Sequence, residues 1–487
     1  MTSPGDPRTY ALPADFRIAL AQDTSFWSGG RLAMGGSPWK LVRLGEAAGP
    51  HLAALRRAGA DGLASSSTTG RALARQLLDH GLAHPLPRAR PGPHDVTVVI
   101  PAFGRPDELE RCLTALKNVP TIVVDDGSPQ PEPLRRLAKA HGARLARHDR
   151  NRGPAAARNT GLRLVDTPFV AFVDSDCRPE DRWLDVLMPY FDDPKVAAVA
   201  PRIVADSGSS GLLARYETER SALDMGSRPA LVRPGAKLGF VPTATLIVRT
   251  RALVDLVFDE EMRLGEDVDF VWRLADRGWH VRYQPEIRVA HTSRLGLRAW
   301  ALRRHEYGTS ASVLAERHPG RLAPVRPSVW NLATLTALAL GRPVPATVCA
   351  GVATALLARR LTGTPERWTL SAAIVGKGVV ADAAALGQAL RREWWPVGLA
   401  CLAVSRRNRL ASAAATAMLA PIVLEWITHR PAVDPLRYTA LRLLEDLTYG
   451  TGVTSSAYGN RSLAPLLPHI RIPHLKSRRR SVPTAHF

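Results

Sequence analysis

The feature that most constrains this chain is a series of apolar runs, two of which stop at acids: DVTVVIP (95–101), TIVVDD (121–126) and FVAFVDSD (169–176). Runs this short and this apolar read as strands buried on both faces. Between them lie segments of helical patterning, such as PDELERCLTALKN, with Pro106 near its start, where a missing N–H and a fixed φ suit the first turn. Alternating strands and helices imply an α/β domain with a mostly parallel sheet. Ligands of such sheets bind at the carboxyl ends of the strands, so acids placed there mark a site.

Each strand end then offers its own chemistry. VVIPAFGRP turns from strand to loop at Pro101, which leaves Ala102 and Phe103 to line a nucleobase pocket. IVVDDGS ends in Asp125 and Asp126; Asp125 is placed to accept hydrogen bonds from a base or ribose, or else these acids cap the following helix. In NRGPAAARNTG, Arg158 and Asn159 fall on a helix starting near Pro154, and an arginine there pairs with a diphosphate or with neighbouring acids. Asp174 and Asp176 follow an apolar strand two residues apart, a spacing that points both carboxylates to one side of an extended segment. Two carboxylates joined by diphosphate oxygens suit Mg²⁺ or Mn²⁺. In LGEDVDFVWRLADRGW, Glu266 and Asp267 open a helix with Val268, Val271, Trp272 and Leu274 towards the core. Acids favour a first turn for the helix dipole alone, and one of them is also suited to be a general base. His291, after RYQPEIRVAH, is either structural or a third metal ligand.

With 487 residues the chain is long enough for two or three domains. We place a small winged-helix-like module at 1–94, where short strands around Gly29-Gly30 and Gly35-Gly36 precede two amphipathic helices. ARPGPHD (89–95) reads as a linker, the α/β domain follows at 95–320, and an Ala-rich helical region fills 321–487. That last region contains PSVWNLATLTALALG, PVPATVCAGVATALLA and LASAAATAMLAPIVLEWIT with arginine pairs between them, while Lys377, Asp382 and Glu425 interrupt it. Membrane contact and a soluble helical domain are both consistent with that pattern. The basic tail IRIPHLKSRRR fits an anionic lipid surface or a solvated end. A net charge of +21 draws anions, but the basic residues are spread and no nucleic-acid-binding motif appears, so no nucleic acid partner is expected. Four isolated cysteines form neither a zinc nor a redox spacing. With no apolar stretch in MTSPGDPR to act as a secretory signal, the catalytic part is expected in the cytoplasm, at the membrane's cytoplasmic face if the helices bind lipid.

VVIPAFGRP, IVVDDGS, GPAAARNTG, VDSDC and GEDVDFVWRL, in this order, resemble the family-2 glycosyltransferases over residues 95 to 310. The resemblance implies a Rossmann-like GT-A fold binding a nucleotide-sugar donor. Asp125 then corresponds to the base-reading acid, with Pro101, Phe103, Asp126, Arg158 and Asp174 around the donor. Asp174 and Asp176 correspond to the metal and diphosphate pair, His291 to a further ligand of Mn²⁺ or Mg²⁺, Asp267 to the catalytic base and Glu266 to its acceptor-side neighbour. Where processive synthases of this family carry QxxRW, this chain has LRRHEYG. That departure argues against a long-chain synthase, and Arg304 remains there as a diphosphate contact. The three stretches together resemble the glycosyltransferases of mycofactocin biosynthesis. This implies transfer of β-1,4-linked glucose from UDP-glucose to the peptide-derived acceptor pre-mycofactocin. The N-terminal module is also similar to small peptide-recognition domains of peptide maturation systems. A cell-envelope lipid or polysaccharide acceptor, and a non-catalytic membrane scaffold, are the alternatives.

Overall fold

The computed structural model describes residues 11–206, 208, 210–292 and 296–471. The opening MTSPGDPR and the basic tail after Arg471 lie outside the described residues. Two compact units divide the chain, one built from residues up to 208 with 220–292, the other from 210–219 with 296–471.

The first unit begins with strands β1 (Arg17–Leu20), β2 (Ser25–Trp27), β3 (Leu32–Gly35) and β4 (Lys40–Arg43), helix α1 (Gly49–Ala58), strand β5 (Leu63–Ala64), helix α2 (Thr68–Asp79) and strand β6 (Ala83–Pro85). They form two antiparallel sheets, β5–β1–β6 and β2–β3–β4, with two helices. Ser67 caps α2 by accepting from the Gly70 N–H at 2.9 Å. Leu73, Leu77 and Leu78 then fall on the face that packs with Leu52 and Leu55 of α1, the helical periodicity seen in the sequence.

The same unit continues into β7 (Val96–Ala102), α3 (Pro106–Ala115), β8 (Thr121–Asp125), α4 (Pro131–Ala140), β9 (Arg144–Arg147), α5 (Pro154–Leu162), β10 (Phe169–Val173), β11 (Cys177–Pro179), α6 (Trp183–Leu187) and β12 (Val196–Asp206). After α7 (Leu212–Arg220), which packs mostly in the second unit, come β13 (Ala230–Val232), β14 (Thr245–Arg249), α8 (Glu266–Asp276) and β15 (His280–Thr292). Nine of these strands make one sheet, ordered β11–β15–β12–β14–β10–β7–β8–β9 with β13 beside β15. Only β10, β7, β8 and β9, and separately β12 with β15, run parallel; β14, β11 and β13 pair antiparallel to their neighbours. The sheet is therefore mixed, where the sequence suggested a mostly parallel one. Helix α5 lies tight on it, because a Cβ on Gly161 would stand 2.2 Å from Val99 Cγ1.

The N-terminal module is fastened to this sheet by the last turns of α2. Arg75 forks onto Asp193 with bonds of 3.0 and 2.7 Å. Asp79 accepts from Lys195 Nζ at 2.9 Å and faces His280 Nε2 at 3.2 Å. Arg282 donates to the Leu78 carbonyl at 3.3 Å, and Ser37 Oγ to the Leu231 carbonyl at 2.6 Å. His280 is fully buried, and that burial lowers its pKa to about 3, so it sits there uncharged. The linker ARPGPHD is also bound down, with Arg90 on Asp192 at 2.7 Å and His94 on Asp185 at 3.0 Å.

The second unit is helical: α9 (Leu297–Thr309), α10 (Ala311–Arg317), α11 (Val329–Ala339), α12 (Pro343–Arg360), α13 (Arg367–Arg391), α14 (Trp395–Val404), α15 (Arg409–His429) and α16 (Pro435–Gly459), with α7. Lys377 and Asp382, read as interruptions, lie inside the continuous α13. Asp382 is buried but accepts from Asn331 Nδ2 at 2.7 Å, which removes the cost of an unpaired acid. By length and composition α13 (25 residues) and α15 (21 residues), with 18-residue windows of mean hydropathy 1.5 and 1.7, are able to cross a membrane. Arg304, expected as a diphosphate contact, is instead buried in this unit between Glu217 at 2.6 Å and Glu445 at 3.0 Å. Its guanidinium joins α9 to α7 and α16, and no charge on it is left for a donor.

Because Asp193 is fully buried, Arg75→Met should cost about 3–5 kcal/mol, the penalty of stranding a buried charge. Arg90→Met, at an exposed pair, should cost under about 1 kcal/mol. Urea denaturation of the two variants checks the contrast; equal effects would show that α2 is not held as described.

Candidate active site

The carboxyl ends of β7, β8 and β10 bring the first group of acids together. Phe103 follows β7 and is 50% exposed, so its ring is open to a planar ligand, while Pro101 is half-buried within the strand. Ser128 ties this turn to the next by accepting from the Gly104 N–H at 2.8 Å. Asp125 is fully buried, accepts from the Ser128 N–H at 2.9 Å and is paired with Arg147 of β9. Asp126 accepts from the backbone N–H groups of Arg152 and Gly153 at 2.9 and 2.8 Å, and meets His148 Nδ1 at 2.7 Å. Its carboxylate shapes the loop before α5, which presses so close that a Cβ on Gly127 would be 2.4 Å from the Arg150 carbonyl carbon. Gly127 also has φ +76, so both the space and the backbone require glycine.

The second group centres on Arg158. This buried guanidinium on α5 donates to Asp174 Oδ1 at 2.7 Å and to Glu266 Oε1 at 2.9 Å. The beginning of α8 is thereby joined to the end of β10. Asn159 on the same helix holds the approach to α8, accepting from the Phe258 N–H at 2.9 Å and donating to the Phe258 carbonyl at 2.8 Å. Asp174 and Asp176 are in a turn and not on an extended segment, since the Cys177 N–H donates to the Asp174 carbonyl at 3.0 Å. They consequently face different partners. Asp176 Oδ2 lies 3.5 Å from His291 Nε2 and 4.0 Å from Arg105, and its carbonyl accepts from the Thr292 N–H at 3.2 Å. Burial would raise the Asp176 pKa, but His291 and Arg105 hold it below the usual carboxylate range.

Asp267 has the opposite shift. Burial, then the negative charge of Glu266, push its carboxyl up to about 7, although the Val268 N–H donates to it at 2.8 Å. Of the α8 residues expected towards the core, Val271, Trp272 and Leu274 are buried and Val268 is half-buried; Phe270 is buried as well. Trp272 also donates from its indole to the Gly239 carbonyl at 2.8 Å. Residues 224–239 are likewise anchored: β13 pairs with β15, and Asp224 accepts two bonds from Arg202.

The structure brings Arg158, Asp174 and Glu266 together and sets Asp176 beside His291, where the sequence reading grouped Asp174, Asp176 and His291 on one metal and left Arg158 to a diphosphate or neighbouring acids. That reading missed Arg147 and His148, the partners of Asp125 and Asp126, because β9 (RLAR) is short and polar. Among the described residues no three carboxylate, imidazole or thiol groups converge as a ready metal cluster; the expected trio divides, with Asp174 turned to Arg158 and Asp176 to His291.

Residues 97–253 match glycosyl transferase family 2. A pre-mycofactocin glycosyltransferase of Mycobacterium tuberculosis (strain H37Rv) is 38% identical over 485 residues, covering 97% of this chain and all of its own. This chain belongs to that glycosyltransferase family. Glycosyltransferase AglE of Haloferax volcanii is 26% identical over 211 residues, 41% of this chain and 67% of its own. A mannosyltransferase of Pyrobaculum calidifontis, solved with GDP-Man and Mn²⁺, overlays on 69% of this chain and 89% of its own at a TM-score of 0.37 and 21% identity. The chain is thus a family-2 sugar transferase whose full length, helical region included, has a counterpart.

Replacing the bridging arginine tests the geometry. Arg158→Met leaves the buried Glu266 unpaired and should lower stability by about 3 kcal/mol or more, with Arg158→Lys restoring part of it. Thermal melting of the two variants would refute the bridge if neither differed from the parent protein.

Proposed function

We propose that this chain is an inverting glycosyltransferase that moves glucose from UDP-glucose onto pre-mycofactocin, building a β-1,4-linked chain. The observation that carries the reading is Asp267: a carboxyl raised to about 7 at the head of a helix that Arg158 ties to Asp174. A general base is most effective with a pKa near the working pH. The full-length likeness to a pre-mycofactocin glycosyltransferase supports the acceptor.

In this reading Asp267 removes the proton from the acceptor hydroxyl as that oxygen attacks the anomeric carbon. The bond from that carbon to the diphosphate oxygen breaks on the opposite side, and UDP leaves with the electron pair. Glu266, held by Arg158, orients the acceptor and keeps the Asp267 pKa high. Phe103 and Pro101 line the base, Asp125 reads it through its Arg147-held position, and Asp126 sets the loop that leads to α5. Asp176 and His291, 3.5 Å apart, together with Asp174 are the residues that would hold a Mn²⁺ or Mg²⁺ ion, to which carboxylate oxygens are suited. A Mn²⁺ or Mg²⁺ ion bound there supplies positive charge to the departing diphosphate.

The strands and two helices of residues 1–94 are read as a winged-helix-like module that recognises the peptide character of the acceptor, ahead of the transferase domain at 95–320. The region 321–487 is read as an anchor at the cytoplasmic face of the membrane, supported by the apolar α13 and α15 and by arginines at both ends of each. Those helices also favour a second reading, in which the acceptor is a cell-envelope lipid or polysaccharide.

Incubation with UDP-glucose, Mn²⁺ and pre-mycofactocin, read by mass spectrometry, should give hexose increments. EDTA should stop them, and Asp267→Asn should slow them by about 10³-fold or more. Since the base acts deprotonated, turnover should rise with pH through about 7 and fall below it. Increments on a polyprenyl or polysaccharide acceptor alone would favour the second reading. No turnover on any acceptor, with donor still bound, would favour a scaffold.

A further inference from the structure

Asp125, Asp174 and Asp176 each meet an arginine, and those of the first two are committed to the fold. Arg158 divides its guanidinium between Asp174 and Glu266. Arg147 holds Asp125 and donates a further bond to the Ser128 carbonyl at 3.1 Å. Arg105, the partner of Asp176, differs from both. It lies two residues beyond Phe103, on the turn that leaves β7. Its Nη1 donates to Glu108 Oε2 at 3.2 Å and stands 4.0 Å from Asp176 Oδ2. Among the described residues its Nε and Nη2 have no partner. The side chain is 46% exposed, where that of Arg158 is 4%. Its two acid contacts are solvent-facing and of small worth, and the Nε–Nη2 edge of the fork is open.

The backbone of Arg105 is left-handed, with φ +53 and ψ +60. Glycine adopts that conformation without strain, whereas an arginine does so at a cost. Strain of this kind is a feature of ligand clamps, and here it sets a cation beside the acids of the site. The departing diphosphate gains charge that such a cation stabilises. Arg304, the arginine that the sequence suggested for this task, is instead locked between Glu217 and Glu445. In the proposed reading the donor's base lies against Phe103, and its diphosphate reaches towards Asp174 and Asp176. Arg105 stands at the Asp176 end.

We infer that Arg105 binds the β-phosphate of the nucleotide-sugar donor, closing the open edge of its guanidinium on two phosphate oxygens. A planar fork fits that bidentate geometry better than a point charge does. The inference rests on the proposed donor site. As the bond to the sugar breaks, its electron pair stays on the β-phosphate oxygen, and a guanidinium already in contact stabilises the new charge. No proton moves, because arginine remains protonated throughout.

Calorimetric titration of UDP and of UMP into the full-length protein with Mn²⁺ tests the assignment. Arg105→Met keeps most of the stem and should weaken UDP binding about tenfold or more, with UMP changed by less than about twofold; Arg105→Lys should fall between. Arg105→Gly should show the same split while melting no lower than the parent, since glycine relieves the left-handed backbone. Equal losses for UDP and UMP overturn the assignment, as does a UDP loss confined to variants that melt below the parent. If the parent binds UDP and Arg105→Met binds it equally, the donor site stands and only the role of Arg105 falls. If the parent itself binds no UDP at about 1 mM, the proposed donor falls and this role with it.

Discussion

A buried arginine between two acids is stable only while both acids are in place, and Arg158 meets that condition with Asp174 and Glu266. Its position follows from the packing of α5, where Gly161 lets the helix lie directly on Val99. The guanidinium then fixes the end of β10 relative to the start of α8. Neutralising Glu266 in part, it leaves Asp267 as the carboxylate that burial and its neighbour drive towards neutrality. That ion pair sets the geometry of the site, while burial first and the Glu266 charge second raise the Asp267 carboxyl beside it.

The N-terminal module belongs to the same mechanical unit. Half-buried charges on α2 meet the buried Asp193 and Lys195 of the segment before β12 and face the buried, uncharged His280 of β15, a seam that penalises partial separation. A module joined only by a linker would move freely, whereas this one is bound along α2 and along residues 90–94 as well. The helical unit is organised in the same way around Arg304, Arg391 and Arg442 with Glu217, Glu445 and Asp446. Several arginines are thus internal and pair with acids. The basic charge is not all a surface for anions.

The strand ends were legible because a buried strand is a local signal, and VDSD or VVDDGS carries its acids with it. Helix α8 was equally plain from its 3.6-residue period. Long-range pairing was not legible. Nothing in NTG or GED states that Arg158 meets a residue 108 positions away, or that Arg304 turns into a helical unit. Strand direction was likewise hidden, since the residues of β14 would suit a parallel neighbour as well as an antiparallel one. Asp174 and Asp176 were read as extended neighbours, and the turn closed by Cys177 separates their directions. The continuity of α13 depended on Asn331, a partner that sequence periodicity does not register.

The proposed reaction is a single displacement assisted by one base, and the configuration of the new bond reports on it. Proton NMR of the first hexose added from UDP-α-glucose reads that configuration at the anomeric centre. A single displacement gives a β-linked sugar, formed by attack opposite the departing diphosphate. An α-linked product would mean two successive displacements or a front-face reaction, and Asp267 would not be the base described here.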